Sequence, residues 1–354
     1  MLRRSKIFKF TILFVILISL GVVLLGNKTS KVKLVKQSPV PTALSSKTSQ
    51  PNQYAIHGFI FANYPIEAKT YLFDAAKRTG KTLIRFDFAR PTIEKQGKFD
   101  FTKQDENMKL AKDRGLEVVG ILGQSTVINS NDLQAYNNYI KQTVRHYPQV
   151  KYWEVWNEPN SRTLYANNPA GFARILKVSY QTIKETNPQA LVLFPGVIFD
   201  AAWHQEWTKK VLEDPDNPGK NSYDIANVHI RGSLEKATNN TKIALEGFRK
   251  YGLINAPLWI TEFGYSAEPY YQSDPQFKGS DVLSGEQAQA NYYQATLPVL
   301  VSMGVDKVFV TLRDNEADKC GPRKSPFCYE GMVTFGKDPT KLKDRPAMAV
   351  FQSL

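Results

Sequence analysis

Two acidic residues stand out by their surroundings. Glu158 lies in the run Trp156-Asn157-Glu158-Pro159-Asn160, where an amide and an indole sit beside the carboxyl. Glu262 lies in Leu258-Trp259-Ile260-Thr261-Glu262-Phe263-Gly264-Tyr265. A pair of carboxyls suits a reaction that needs one protonated group to release a leaving group and one ionised group to attack or to activate water. Placed close together, each raises the other's proton affinity, so one can stay protonated near neutrality. Cleavage of a glycosidic bond needs this pair. Asn157 suits a sugar hydroxyl, and Trp156 offers a face and a single donor.

The pair works only if the fold brings its members together. From residue 53 the chain alternates short apolar runs with amphipathic stretches, the βαβα pattern. Strands are expected at Ala55–Ala62, Thr82–Phe88, Glu117–Leu122, Tyr152–Trp156, Ala190–Pro195, Ile225–His229, Leu258–Phe263 and Lys307–Leu312. Helix ends are marked by Gly80 and Gly115 just past basic last turns, and a later helix is expected to open at Ser284 and stop at Gly304. Eight units predict a single (β/α)8 TIM barrel. An open doubly wound sheet usually carries a glycine-rich turn after its first strand, and Phe59-Ile60-Phe61-Ala62-Asn63 has none. In a barrel, strands four and seven face each other, so Glu158 and Glu262 converge across the C-terminal mouth.

The two motifs, in this order and at these strands, resemble those of the clan A retaining glycoside hydrolases, in particular the cellulase-like and family thirty-nine-like branches. The resemblance covers about residues 54–354. It implies Glu158 as acid/base, Glu262 as nucleophile and Asn157 as partner of the substrate 2-hydroxyl. It also points to Arg85 beside the nucleophile, with an Arg85–Asp87 ion pair as the alternative, and to His229 lining the subsite of cleavage. His57, His146 and His204 gain no such support. The clan commonly has a tyrosine where Arg231 stands, and an aromatic near the end of strand eight, where Arg313 and Asp314 stand. Those two either contact substrate or pair with each other. Tyr265 opens an aromatic loop, with Tyr270, Tyr271 and Phe277, that suits stacking on sugars. Trp203 and Trp207 could do likewise. No cofactor or metal is implied. A transglycosylase acting on surface glycans and a non-catalytic carbohydrate-binding barrel remain open alternatives.

Of the 46 Lys and Arg, nine fall in residues 1–52, which hold none of the 33 Asp and Glu. The remainder is close to charge balance, which excludes a nucleic-acid footprint. Arg3, Arg4, Lys6 and Lys9 precede an uncharged apolar run from Phe10 to Gly26. This predicts a signal anchor or signal peptide over 1–26, a disordered linker over 27–52 and a hydrolase domain over 53–354. The expected location is outside the cytoplasmic membrane, anchored through the N-terminal helix or secreted, and the expected state is a monomer. Two cysteines close in sequence, Cys320 and Cys328, suit a disulfide in an exported chain.

Overall fold

The computed structural model describes residues 53–123, 130–162, 164–315, 325–335 and 342–354. The segments expected as anchor and linker lie outside these residues, as does Cys320. Among the described residues, no helix is long and apolar enough to cross a membrane.

The strands are β1 (Tyr54–His57), β2 (Leu83–Asp87), β3 (Glu117–Leu122), β4 (Tyr152–Val155), β5 (Leu191–Leu193 continued by Val197–Ile198), β6 (Ala226–Ile230), β7 (Leu258–Phe263) and β8 (Lys307–Thr311). A helix follows each in turn: α1 (Ile66–Arg78), α2 (Thr102–Asp113), α3 (Ser130–His146), α4 (Pro169–Thr186), α5 (Ala202–Leu212), α6 (Leu234–Tyr251), α7 (Val282–Ser302) and α8 (Pro346–Ser353). A small hairpin, Glu94–Lys95 with Lys98–Phe99, follows β2.

All pairings in the main sheet are parallel. The sheet has nine hydrogen-bonded segments, and its two ends are the two halves of β5, one paired with β4 and the other with β6. The bridge Leu193–Ile225 ties the first half of β5 to the residue before β6, so the sheet curls back on itself in the manner of a TIM barrel. β5 is interrupted at Phe194-Pro195-Gly196 and resumes at Val197–Ile198, beyond the expected end at Pro195. Proline cannot donate to a ladder, and Gly196 serves the site described below.

Side-chain alternation sorts two cores. Ala55, Leu83, Val119, Leu193, Ile225, Trp259 and Phe309, with Tyr152 against them, form one small cluster. Each of the eight strand positions contributes one residue, which makes this the plug of the barrel interior. The intervening residues, such as Ile56, Ile84, Trp153, Val228 and Val310, join the larger core between strands and helices.

β1 ends at His57, earlier than expected, because Phe59 takes a left-handed backbone (φ 47°) that no strand continues. α7 starts at Val282, with Asp281 as its cap: Asp281 accepts from the Ser284 amide at 3.0 Å, and Ser284 Oγ accepts from the Asp281 amide at 2.8 Å. The capping box is therefore one turn earlier than Ser284 alone suggests. Gly80, Gly115 and Gly304 close their helices with positive φ, as expected.

Candidate active site

Glu262 reaches the site through an irregularity in β7. Trp259 belongs to the interior plug and Ile260 to the outer core. Strict alternation would place Thr261 inside and Glu262 outside. The register against β6 slips between Ile260 and Glu262, and against β8 between Ile260 and Phe263. This bulge lets both Thr261 and Glu262 face the interior before Phe263 returns to the outer core.

Glu262 is then enclosed by cations and imidazoles. Its Oε1 accepts from Arg85 Nη1 at 2.8 Å and lies 3.5 Å from His57 Nε2. Its Oε2 accepts from Arg231 Nη2 at 3.0 Å and lies 3.6 Å from His229 Nδ1. Burial pushes the carboxyl up, but its cationic surroundings, above all the hydrogen-bonded Arg85 and Arg231 guanidiniums, hold it well below its ordinary range. The arginines carry permanent charge. His57 is held neutral by burial, which outweighs the pull of Glu262.

Glu158 sits at the barrel mouth on a strained turn. Both Trp156 (φ 71°) and Glu158 (φ 45°) are left-handed, a conformation that costs roughly 1–3 kcal/mol each. The turn is held by the Glu158 amide on the Gly196 carbonyl at 2.8 Å, and by Asn160 clamped to both backbone groups of Ile198. The Glu158 carboxyl is partly exposed, and its Oε1 lies 2.9 Å from His229 Nδ1. Ligand-type atoms of Glu158, His229 and Glu262 all fall within 4.8 Å of one another. Three such atoms could reach one metal ion. The two guanidinium groups on Glu262 already neutralise it and would repel a dication, so the donor chemistry does not favour a metal centre.

Arg85 is the hub. It donates to Glu154 Oε2 and Oε1 at 2.7 Å each, to Asn157 Oδ1 at 2.7 Å, to Glu262 Oε1 at 2.8 Å, and lies 2.9 Å from His57 Nδ1. These contacts use all five N–H groups. They resolve the two readings of this residue: Arg85 faces the carboxyls of β4 and β7 and does not pair with Asp87. Burial pushes the Asp87 carboxyl up to about 6 against the pull of Arg85. By taking Oδ1 of Asn157, Arg85 leaves the amide nitrogen for the cavity.

Gly196 is required by space. A Cβ there would meet His229 Nε2 at 2.1 Å and Glu154 Oε1 at 2.6 Å, while its amide donates to Glu154 Oε1 at 3.1 Å. The interruption of β5 thus makes room for His229 and Glu154.

A cavity of about 620 Å³ opens above the carboxyls. Its lining includes Phe59, Asn157, Arg162, Trp203, His204 and Phe327. Trp203 is 40% exposed and its ring centroid lies 3.6 Å from that of His204, whose Nδ1 is 2.7 Å from Asp200. Arg231 stands where the resemblance leads one to expect tyrosine. It bridges Glu262 to the buried Glu330, both of whose oxygens it meets at 3.0 Å, beneath the exposed Phe327 ring.

The structure brings Glu158, Glu262, Asn157, Arg85 and His229 together, and it corrects other expectations. Tyr265 does not line the cavity. It is buried, stacked on Tyr292 with centroids 4.0 Å apart, and burial pushes its hydroxyl up to about 12. Trp156 is buried among Tyr136, Tyr165 and Phe172, and offers no face to a ligand. Trp207 is buried and donates to the Tyr165 carbonyl. Arg313 donates to the Phe59 carbonyl and the Tyr64 hydroxyl, and Asp314 is paired with Arg345. Neither lines the cavity. His57, Glu154, Thr261 and His204 were missed. For His57 and Glu154 a signal existed: inward parity with Ala55 and Tyr152 on their strands.

The sequence matches the family model described as glycosyl hydrolase catalytic core over residues 95–317. No curated protein matches the chain. Among solved structures, it is similar to a family 39 glycoside hydrolase from Bacteroides cellulosilyticus WH2 (16% identity, 86% of this chain and 63% of that chain, TM-score 0.60). It is also similar to a monomeric β-xylosidase from Caulobacter crescentus CB15 (16%, 85% and 67%, TM-score 0.62). A third is GH10 from Paenibacillus barcinonensis (14%, 85% and 94%, TM-score 0.57). At these identities the likeness is one of fold, and the chain spans less than two thirds of the first of them.

Proposed function

The chain belongs to the glycosyl hydrolase catalytic core family, and from that premise we propose that it cleaves O-glycosidic bonds of a poly- or oligosaccharide with retention, by double displacement. The observation that carries this reading is the spacing of the two carboxyls. An oxygen of Glu158 lies within 4.8 Å of one of Glu262. Retaining enzymes hold their carboxyls roughly 5–5.5 Å apart, whereas inverting enzymes leave about 6.5–9.5 Å for a water.

The asymmetry between the two supports a division of roles. Glu262 is buried and cation-bound, so it is the ionised nucleophile. Glu158 is more exposed, with its Oε1 against His229, which fits the acid/base. Glu262 bonds to the anomeric carbon as the glycosidic C–O bond breaks, and the proton of Glu158 passes to the leaving oxygen. Water then adds to the anomeric carbon, giving its proton back to Glu158, and Glu262 is released. The Asn157 amide nitrogen suits the 2-hydroxyl, since Arg85 occupies its Oδ1. Trp203, exposed on the cavity wall, suits a sugar face.

The basic-then-apolar N-terminus supports residues 1–26 as an anchor or signal, 27–52 as a linker, and a monomeric hydrolase domain over 53–354 outside the cytoplasmic membrane. The test is a glycan panel, including β-xylosides on the strength of the xylosidase likeness, with wild type and Glu262→Gln compared. Wild type releases a product whose first-formed anomer has the configuration of the substrate, and Glu262→Gln is inactive. An inverted anomer, read by NMR, sinks the mechanism. Transfer to an added acceptor sugar would identify a transglycosylase.

A further inference from the structure

The hydrogen bonds behind His229 determine which of its nitrogens carries the proton. They start at Asn227, which is buried on β6. Its Nδ2 donates to the Phe194 carbonyl at 3.2 Å, so its Oδ1 faces Thr261. Thr261 donates its only hydroxyl proton to that Oδ1 at 2.8 Å. The Thr261 oxygen is therefore an acceptor toward His229 Nε2, 3.2 Å away, and Nε2 must carry the hydrogen. The other neighbour of Nε2 is Arg85 Nη2 at 3.4 Å. Both Nη2 hydrogens already go to Glu154 Oε1 and Asn157 Oδ1 at 2.7 Å, so Arg85 neither donates to Nε2 nor accepts from it.

With Nε2 protonated, the neutral ring presents a bare Nδ1 to Glu158 Oε1 at 2.9 Å. Two acceptors do not sit at that distance without a proton between them. The proton could reside on either side. Transferring it to Nδ1 would create a buried imidazolium 3.4 Å from the Arg85 guanidinium. That would set two cations side by side with no hydrogen bond between them. The charged or titratable groups around the ring are Glu158 after β4, Glu154 on β4, Arg85 on β2, His57 on β1, Glu262 on β7 and Arg231 after β6. Arg85 and Arg231 both contact Glu262, so the carboxylate nearest Nδ1 after Glu158 is already matched by cations.

We propose that the buried chain Asn227–Thr261–His229 holds His229 as its Nε2–H tautomer, so that Nδ1 accepts from Glu158 and keeps that carboxyl protonated and aligned as the general acid. The bulge in β7 aims Glu262 at the reaction centre while Thr261 holds the interior position that completes this chain. Asn227 and Thr261 are positioning residues, since they act through His229. The proposal rests on the hydrolase reading for its consequence, but not for its first test.

That first test is imidazole ¹⁵N–¹H correlation NMR on the ¹⁵N-histidine-labelled protein, which has four histidines. The signal that moves in Thr261→Val belongs to His229. The expected wild-type spectrum shows this ring with a proton on Nε2 and a bare Nδ1 near neutral pH. A proton on Nδ1, or on both nitrogens, overturns the proposal whatever the enzyme's activity. The second test is kinetic. Thr261→Val is expected to lose about tenfold or more on substrates with poor leaving groups, within the range attributed to general acid catalysis. It should lose little on dinitrophenyl glycosides, and its alkaline limb should move to lower pH. Thr261→Ser restores both. An equal loss on both leaving groups, or an unmoved alkaline limb, assigns Thr261 a merely structural role and refutes the proposal. If wild type shows the expected tautomer yet hydrolyses no glycan, the hydrolase reading fails and the tautomer assignment stands.

Discussion

Replacing Arg85 by methionine tests the electrostatic core of the barrel. The guanidinium is fully buried, and its N–H groups meet Glu154 twice, Asn157, Glu262 and His57 at 2.7–2.9 Å. Methionine fills part of the same space and supplies no donor, leaving Glu154 and Glu262 without their shared cation. Removing one partner of a buried ion pair costs about 3–5 kcal/mol. Each kcal/mol lowers Tm by about 2–4 °C in a large domain, so melting should fall by about 6–20 °C near neutral pH. The pH dependence has a definite sign. In the wild type, Glu262 is held below its ordinary value of 4.5, so its ionisation contributes stability above that pH. That contribution is lost as pH falls through the lowered folded value. In Arg85→Met only the Arg231 guanidinium remains to offset the burial of Glu262, so its ionisation contributes less near neutrality. The Tm gap between the two proteins is thus widest near neutrality and narrows on acidification. Calorimetry of both proteins at about pH 7 and about pH 4 measures it. A gap below about 2 °C, or one independent of pH, would refute the reasoning.

Two further outcomes follow from the same geometry. Arg231→Met removes one of the two guanidinium contacts on Glu262 and leaves Glu330, whose carboxyl burial already pushes up, without its cation. The acid limb of kcat/KM on an aryl glycoside should move to higher pH; a limb that stays in place means Arg231 does not hold the nucleophile ionised. Gly196→Ala places a methyl 2.1 Å from His229 Nε2 and 2.6 Å from Glu154 Oε1. The expected result is a loss of about 100-fold in kcat from misplacement of the acid's partner, with a stability cost of about 1–3 kcal/mol. Activity within about threefold of wild type would show that the site yields freely and that Gly196 is not needed for space.

The order of strands, the barrel class and the main site residues were legible because each rests on a local pattern. Apolar runs separated by amphipathic stretches mark the units, and the turn after β4 advertises itself in Trp156-Asn157-Glu158-Pro159. Arg85 and His229 were reachable because a strand's C-terminal end faces the mouth. Tyr265 and Trp156 misled for a related reason: an aromatic near a strand end has two faces to choose from, and packing against Tyr292 or Phe172 decides which it takes. Loop composition cannot express that choice. Arg231 was noted as a departure, but its double attachment to Glu262 and Glu330 spans 99 residues of chain at its longer contact and is invisible in a linear pattern.

The sequence by itself determined that two carboxyls sit at the ends of facing strands in an eight-unit barrel, because the alternation of apolar runs and chain order are local properties. Tertiary structure decided whether Glu262 turns inward. Parity places it outside, with Ile260 and Phe263 on the outer face. The slip of β7 against β6 and β8 reverses that, and the slip is a matter of hydrogen-bond register between strands distant in the chain. Thr261, inward by parity, remains there against His229 and Asn227. The gap at Gly196, on yet another strand, makes room for His229. A linear pattern names the residues that can do chemistry; the register of neighbouring strands fixes which atoms meet.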